Sequence, residues 1–140
     1  MKNKAQLSGK KLAASPSLRS LERIMHLLLE PGGCPWDRRQ THSTLLKYLR
    51  EEAGEVSRAV RNRDWENLKE ELGDVLLQVV FHSALARRAG LFTLGDVIQT
   101  INAKMVRRHP HVFGGPKLAT SAQVLRQWKK IKLVEKGKKA

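Results

Sequence analysis

The chain holds a single cysteine, Cys34, so no disulfide can form within it, and no CxxC partner is present to suggest zinc or redox chemistry. That usage agrees with a reducing, cytoplasmic setting. Aromatic residues make up only 5%. Proline and glycine are few and fall between long periodic segments, which favours helices over the many turns of a β-protein. No long hydrophobic run exists: the stretch from Val75 to Phe81 is interrupted by Gln78 and is far too short to span a membrane. Lys2, Lys4, Lys10 and Lys11 are not followed by an apolar stretch, so no signal peptide is expected. With 41% hydrophobic residues in 140, the expectation is one soluble, all-α domain with a single core.

Acidic residues are also scarce, 13 against 27 lysines and arginines, for a formal charge of +14. The excess sits at the ends. Residues 1–19 carry +5 and residues 116–140 carry +7, whereas the middle is nearly balanced at +2. Such ends read as solvated tails with weak, nonspecific attraction for nucleic acid, rather than as a nucleic-acid interface.

In chain order, residues 1–16 read as a basic, flexible arm ending at Ser15-Pro16, residues 17–135 as the domain, and 136–140 as a Lys-rich tail. Apolar positions from Leu18 to Leu28 predict a helix capped by Ser17 and stopped by Pro31-Gly32-Gly33. Cys34 to His42 reads as a loop. A helix over 43–61 and another over 65–89, capped by Asp64 and closed by Gly90, are joined by about three residues and so predict an antiparallel hairpin. Thr93 and Asp96 suggest a capping box for a helix ending near Arg108, and an amphipathic segment with Val124, Leu125, Trp128 and Ile131 follows.

The few acids of the middle are concentrated in two clusters, Glu51-Glu52-Ala53-Gly54-Glu55 and Glu70-Glu71-Leu72-Gly73-Asp74. At helical spacing Glu52 shares a stripe with Leu45, Leu49, Val56 and Val60, and Glu71 and Asp74 lie between two apolar faces. Burying carboxylates there is costly unless positive charge neutralises them. Glu52 and Glu55 on one helix facing Glu71 and Asp74 on the next could grip a hard divalent cation that keeps open positions for phosphate oxygens. Lys104, Arg107 and Arg108 suit the far phosphates, and Glu51 could support a water or act as a base. The plainer reading makes these acids surface residues in helical ion pairs. Trp36, Gln40 and His42 are candidates for a mobile loop near a base, while His82, His109 and His111 read as core or turn residues. Long apolar faces on both sides of the 65–89 helix predict self-association.

The strings CPWDRRQTHSTLLKYLREEAGE, KEELGDVLLQVVFHSALARRAGLFTLGDV, KMVRRHPHVFG and VLRQWKKIK resemble the MazG family of nucleoside triphosphate pyrophosphohydrolases over about residues 20–135, with the EExxE and ExxD signature at Glu51, Glu52, Glu55, Glu71 and Asp74. The resemblance implies an all-α four-helix bundle completed by dimerisation, as a homodimer or a dimer of dimers. It implies Mg²⁺, with Mn²⁺ as a substitute, on Glu52, Glu55, Glu71 and Asp74. It also implies hydrolysis of a nucleoside triphosphate to monophosphate and pyrophosphate, by water attack on the α-phosphorus, with Lys104, Arg107 and Arg108 holding the triphosphate. Family members are regarded as house-cleaning enzymes of nucleotide pools. Many carry two copies of this domain, and this chain resembles the N-terminal copy. Lys129 stands where an acid is common. The alternatives are a catalytically weak or inactive helical module that binds nucleotide or nucleic acid, and a sister dUTP or dCTP pyrophosphatase.

Overall fold

The computed structural model describes the backbone of residues 4–139 and the side chains of 9–138; among these there are seven helices and no strand. They are α1 (Lys4–Ala14), α2 (Leu18–Leu29), α3 (Pro35–Arg38), α4 (His42–Arg61), α5 (Trp65–Arg88), α6 (Leu94–Arg108) and α7 (Ser121–Lys139). The all-α expectation holds. No helix among the described residues is long and apolar enough to cross a membrane.

Three differences from the sequence reading concern local chemistry. The basic arm expected to be flexible is helical over Lys4–Ala14 and packs on α2; an Ala- and Lys-containing stretch has the propensity for this once a neighbour is present. Met1, Lys2 and Asn3 lie outside the described residues. The stretch expected as a loop from Cys34 to His42 contains the single-turn α3, where Pro35 sets the first helical φ and Asp37 lies in the first turn. At the other end, α7 runs on to Lys139 through residues expected as a tail.

The chain divides into two compact units, the first ending at Leu94 and the second starting at Gly95; the domain expected over 17–135 spans both. In the first unit, α4 and α5 form the expected antiparallel hairpin, and α2 packs on α5. The connection is Asn62-Arg63-Asp64, with Arg63 at φ 52° and the Asp64 side chain accepting from the Asn67 N–H at 3.2 Å. Thr41 and Thr44 cap α4 reciprocally. Ser17 caps α2 by accepting from the Ser20 N–H at 3.1 Å. After α2 the chain folds back tightly, and a Cβ on Gly33 would lie 2.3 Å from the Leu28 carbonyl oxygen, so only glycine fits.

The core of this unit is small and mostly aliphatic, with one aromatic ring: Met25, Leu29, Leu45, Ala59, Val80, Phe81, Ala84 and Ala86 are all buried. Truncating Leu45, which is 1% exposed, to Ala would cost about 2–5 kcal/mol. The first half of α5 is less well covered. Leu72, Leu76 and Val79, spaced at three and four residues, remain exposed.

In the second unit a turn after α6 is held by the Gly115 N–H donating to the Pro110 carbonyl, and His109 meets Trp128 of α7 edge to face with centroids 5.2 Å apart. His111 Nδ1 and Gln127 Oε1 are 3.1 Å apart. His109 and His111 thus fix the junction of turn and helix, as their sequence position suggested.

Candidate metal centre

The pairing of α4 with α5 brings acids from both helices together. Glu52, Glu71 and Asp74 each offer a carboxylate oxygen, and these oxygens all lie within 4.8 Å of one another. All three residues are half-buried. Among the described residues no lysine or arginine forms an ion pair with any of them; the ion pairs formed are Glu55–Arg58, Lys69–Glu66, Arg107–Glu135 and Arg108–Glu135. Burial, a hydrogen bond with Glu71, and the charges of Asp74, Glu71 and Glu55 push the Glu52 carboxyl up to about 7.

A group of carboxylates that repel one another and have no cationic partner among the described residues suits a divalent cation. Oxygen-only ligands favour a hard ion over zinc or copper. The residues present therefore fit the metal that the fold implies.

Glu55 stands apart from the three. Its carboxylate is engaged by the Arg58 guanidinium one turn along α4, although its charge still raises Glu52. Glu51 is exposed on α4. The plainer reading of surface ion pairs thus describes Glu55 and Glu66 but not Glu52, Glu71 or Asp74.

Trp36, Gln40 and His42 are fixed near the start of α4. The Trp36 ring meets Tyr48 edge-on, with centroids 5.6 Å apart, and is itself 51% exposed. Gln40 donates to the Trp36 carbonyl at 2.9 Å and accepts from the Thr44 hydroxyl at 2.9 Å. His42 stacks on His82, and their Nδ1 atoms share a 2.8 Å hydrogen bond. Burial, with the His42 ring beside it, holds the His82 imidazole below its ordinary value. Asp74, Gln78 and His82 are spaced four apart on α5, so a polar line runs from the carboxylates to the histidine pair. Gln78 is buried, and its Oε1 has no hydrogen-bond partner among the described residues. Sequence reasoning gave neither Tyr48 nor His82 a role there; the interruption of an apolar run by Gln78 was the available signal.

Lys104, Arg107 and Arg108 lie on α6 in the second unit. There they line a groove of about 1020 Å³ with Lys130, Glu135 and Lys138. Arg107 Nε donates to Glu135 Oε1 at 2.7 Å and Arg108 Nη2 to Glu135 Oε2 at 3.1 Å. These bonds, the one from Arg107 foremost, hold the Glu135 carboxyl down at about 2. Spacing alone does not show that Glu135, 27 and 28 residues further along, engages both arginines.

Comparison with known proteins places this geometry in context. Residues 40–113 match the model of the MazG nucleotide pyrophosphohydrolase domain. The chain is 52% identical over 119 residues to the nucleoside triphosphate pyrophosphohydrolase/pyrophosphatase MazG of Thermotoga maritima, covering 85% of this chain and 45% of that protein. It is 43% identical over 118 residues to the nucleoside triphosphate pyrophosphohydrolase of Escherichia coli K12, covering 84% and 45%. The chain thus spans about half the length of these curated relatives. The crystal structure of a MazG-related protein from Thermotoga maritima matches it with a TM-score of 0.70 and 31% identity, over 82% of this chain and 98% of that one. The chain belongs to the family of MazG nucleotide pyrophosphohydrolase domains.

Proposed function

We propose that this chain hydrolyses nucleoside triphosphates between the α- and β-phosphates, releasing monophosphate and pyrophosphate, with a divalent cation at Glu52, Glu71 and Asp74. The observation that carries the reading is the convergence of these carboxylates within 4.8 Å with no lysine or arginine among the described residues paired to them. The naming of relatives as nucleoside triphosphate pyrophosphohydrolases supports it.

A hard ion in this oxygen-lined position, Mg²⁺ with Mn²⁺ as a substitute, would polarise the phosphoryl group and make an attacking water more acidic. The protein's own part is to hold it. Glu52 and the Glu71–Asp74 pair approach from two helices, and Glu55 joins them by releasing Arg58. Glu51, exposed on the same helix, orients or deprotonates the water. Lys104, Arg107 and Arg108 neutralise the outgoing phosphates, the arginines exchanging Glu135 for phosphate oxygens. Trp36, Gln40 and His42 meet the base. The exposed Leu72, Leu76 and Val79 face of α5 is covered by a second copy, completing a four-helix bundle as a homodimer or dimer of dimers. The role is cytoplasmic house-cleaning of nucleotide pools, with weak nucleic-acid contact through the basic ends.

Product identity tests this. A panel of ribo- and deoxyribonucleoside triphosphates, with and without Mg²⁺, should give pyrophosphate and monophosphate by ³¹P NMR only with the metal. Turnover confined to dUTP or dCTP would assign the sister activity. Orthophosphate alone, or no product at any metal concentration, contradicts the proposal.

A further inference from the structure

A second concave site lies at the other end of the α2–α5 pair. It is a pocket of about 430 Å³ lined by Arg23, His26, Leu29 and Glu30 of the α2 end and by Arg87 and Arg88 of α5. Arg87 stands thirteen residues beyond Asp74 on the same helix, which at 1.5 Å per residue separates the two places by about 20 Å.

Both α5 guanidiniums are held in position through one nitrogen each. Arg88 Nη1 donates to the Leu29 carbonyl at 3.2 Å, and Arg87 Nη1 lies 3.1 Å from His26 Nδ1. A guanidinium has five N–H donors, so most of each fork is left for a ligand. Three arginines face one carboxylate here, Glu30, and no ion pair joins it to any of them among the described residues. Basic residues do suit the C-terminal end of a helix. That accounts for Arg88 on Leu29, yet it leaves Arg23 and Arg87 as unneutralised charge around a cavity. Fixed guanidinium forks in a concave, electropositive place favour phosphate oxygens over chloride.

We infer that this pocket binds a small phosphate-bearing anion, without metal, at a site separate from the carboxylates. Inorganic pyrophosphate and a nucleoside monophosphate share the required chemistry.

Calorimetric titration of the full chain in excess chelator at 0.15 M salt tests the inference, with pyrophosphate and AMP as probes. Saturable binding is expected, weakened at least tenfold by Arg23→Gln/Arg87→Gln, and less by Arg87→Lys, which keeps the charge and loses the fork. The tighter probe names the source. Asp74→Asn, Lys104→Gln and Lys136→Gln/Lys138→Gln should bind as the parent does, and the Asp74 variant keeps this test independent of whether the chain hydrolyses triphosphates. Arg23 and Arg87 are exposed, so their variants should melt as the parent does. Unchanged affinity in Arg23→Gln/Arg87→Gln, loss of binding in the Lys104 or tail variants, or binding of neither probe overturns the inference.

Discussion

Glu52 of α4 and Glu71 of α5 belong to different helices, yet their carboxylate oxygens lie within 4.8 Å. Asp74 is as close, and among the described residues no lysine or arginine intervenes as a partner. The hairpin therefore stores repulsion that a cation would relieve.

Its first consequence is a pH dependence. The Glu52 carboxyl is raised from 4.5 to about 7. Below pH 4.5 it is protonated in both folded and unfolded chains. Between these values the unfolded chain ionises and the folded one retains its proton, so stability falls as pH rises; above about 7 the loss is complete. In chelator, Glu52→Gln should gain stability relative to the parent progressively from pH 4.5 to 7, and denaturant melts at pH 5 and pH 8 should show it. A stability difference independent of pH would contradict the raised carboxyl.

Hydrolysis should fail when the cluster is broken. Glu52→Gln and Asp74→Asn are expected to lower pyrophosphate release at least a hundredfold, beyond the 10–100-fold typical of groups that only support a metal ligand. Both variants should remain folded by circular dichroism. Retained turnover in both would show that the carboxylates do not hold the working ion.

Glu135 couples α7 to α6 through Arg107 and Arg108. Its carboxyl lies at about 2 in the folded chain, so the stability it contributes is present above 4.5 and is lost as pH falls towards 2. Glu135→Gln should speed amide hydrogen exchange along α7. Should the arginines also take triphosphate, the same change lowers KM. Exchange unchanged from the parent would mean that these ion pairs do not hold α7.

Two backbone positions offer a check on the hairpin. Arg63 adopts φ 52°, and Arg63→Gly should stabilise the chain by about 1 kcal/mol. Gly54 lies inside α4, where an added Cβ meets nothing within 4 Å, and Gly54→Ala should add about 0.5–1 kcal/mol. Thermal melting measures both. Destabilisation by Gly54→Ala would mean that something outside this chain approaches the helix there.

Much of the fold was legible because it is written in local chemistry. Ser17, Thr41 and Asp64 stand at or beside the predicted helix starts, and the three-residue link at 62–64 dictates an antiparallel pair. The conflict between apolar periodicity and Glu52, Glu71 and Asp74 pointed to the carboxylate cluster. Spacing could not show which acid leans elsewhere, because Glu55 chooses between the cluster and Arg58 by rotamer, not by register. Nor could it reveal His42 on His82 or Glu135 on two arginines, pairs whose members are far apart in the chain. The helix over residues 4–14 was not legible, because charge and small residues resemble a tail until a neighbouring helix gives them a surface to pack on.

Titration of the chelator-treated chain with Mn²⁺, followed by electron paramagnetic resonance at pH 8, tests the metal centre most directly. The parent should take up the ion saturably, and Asp74→Asn and Glu52→Gln should leave it free in solution. Equal uptake by all three would contradict the assignment.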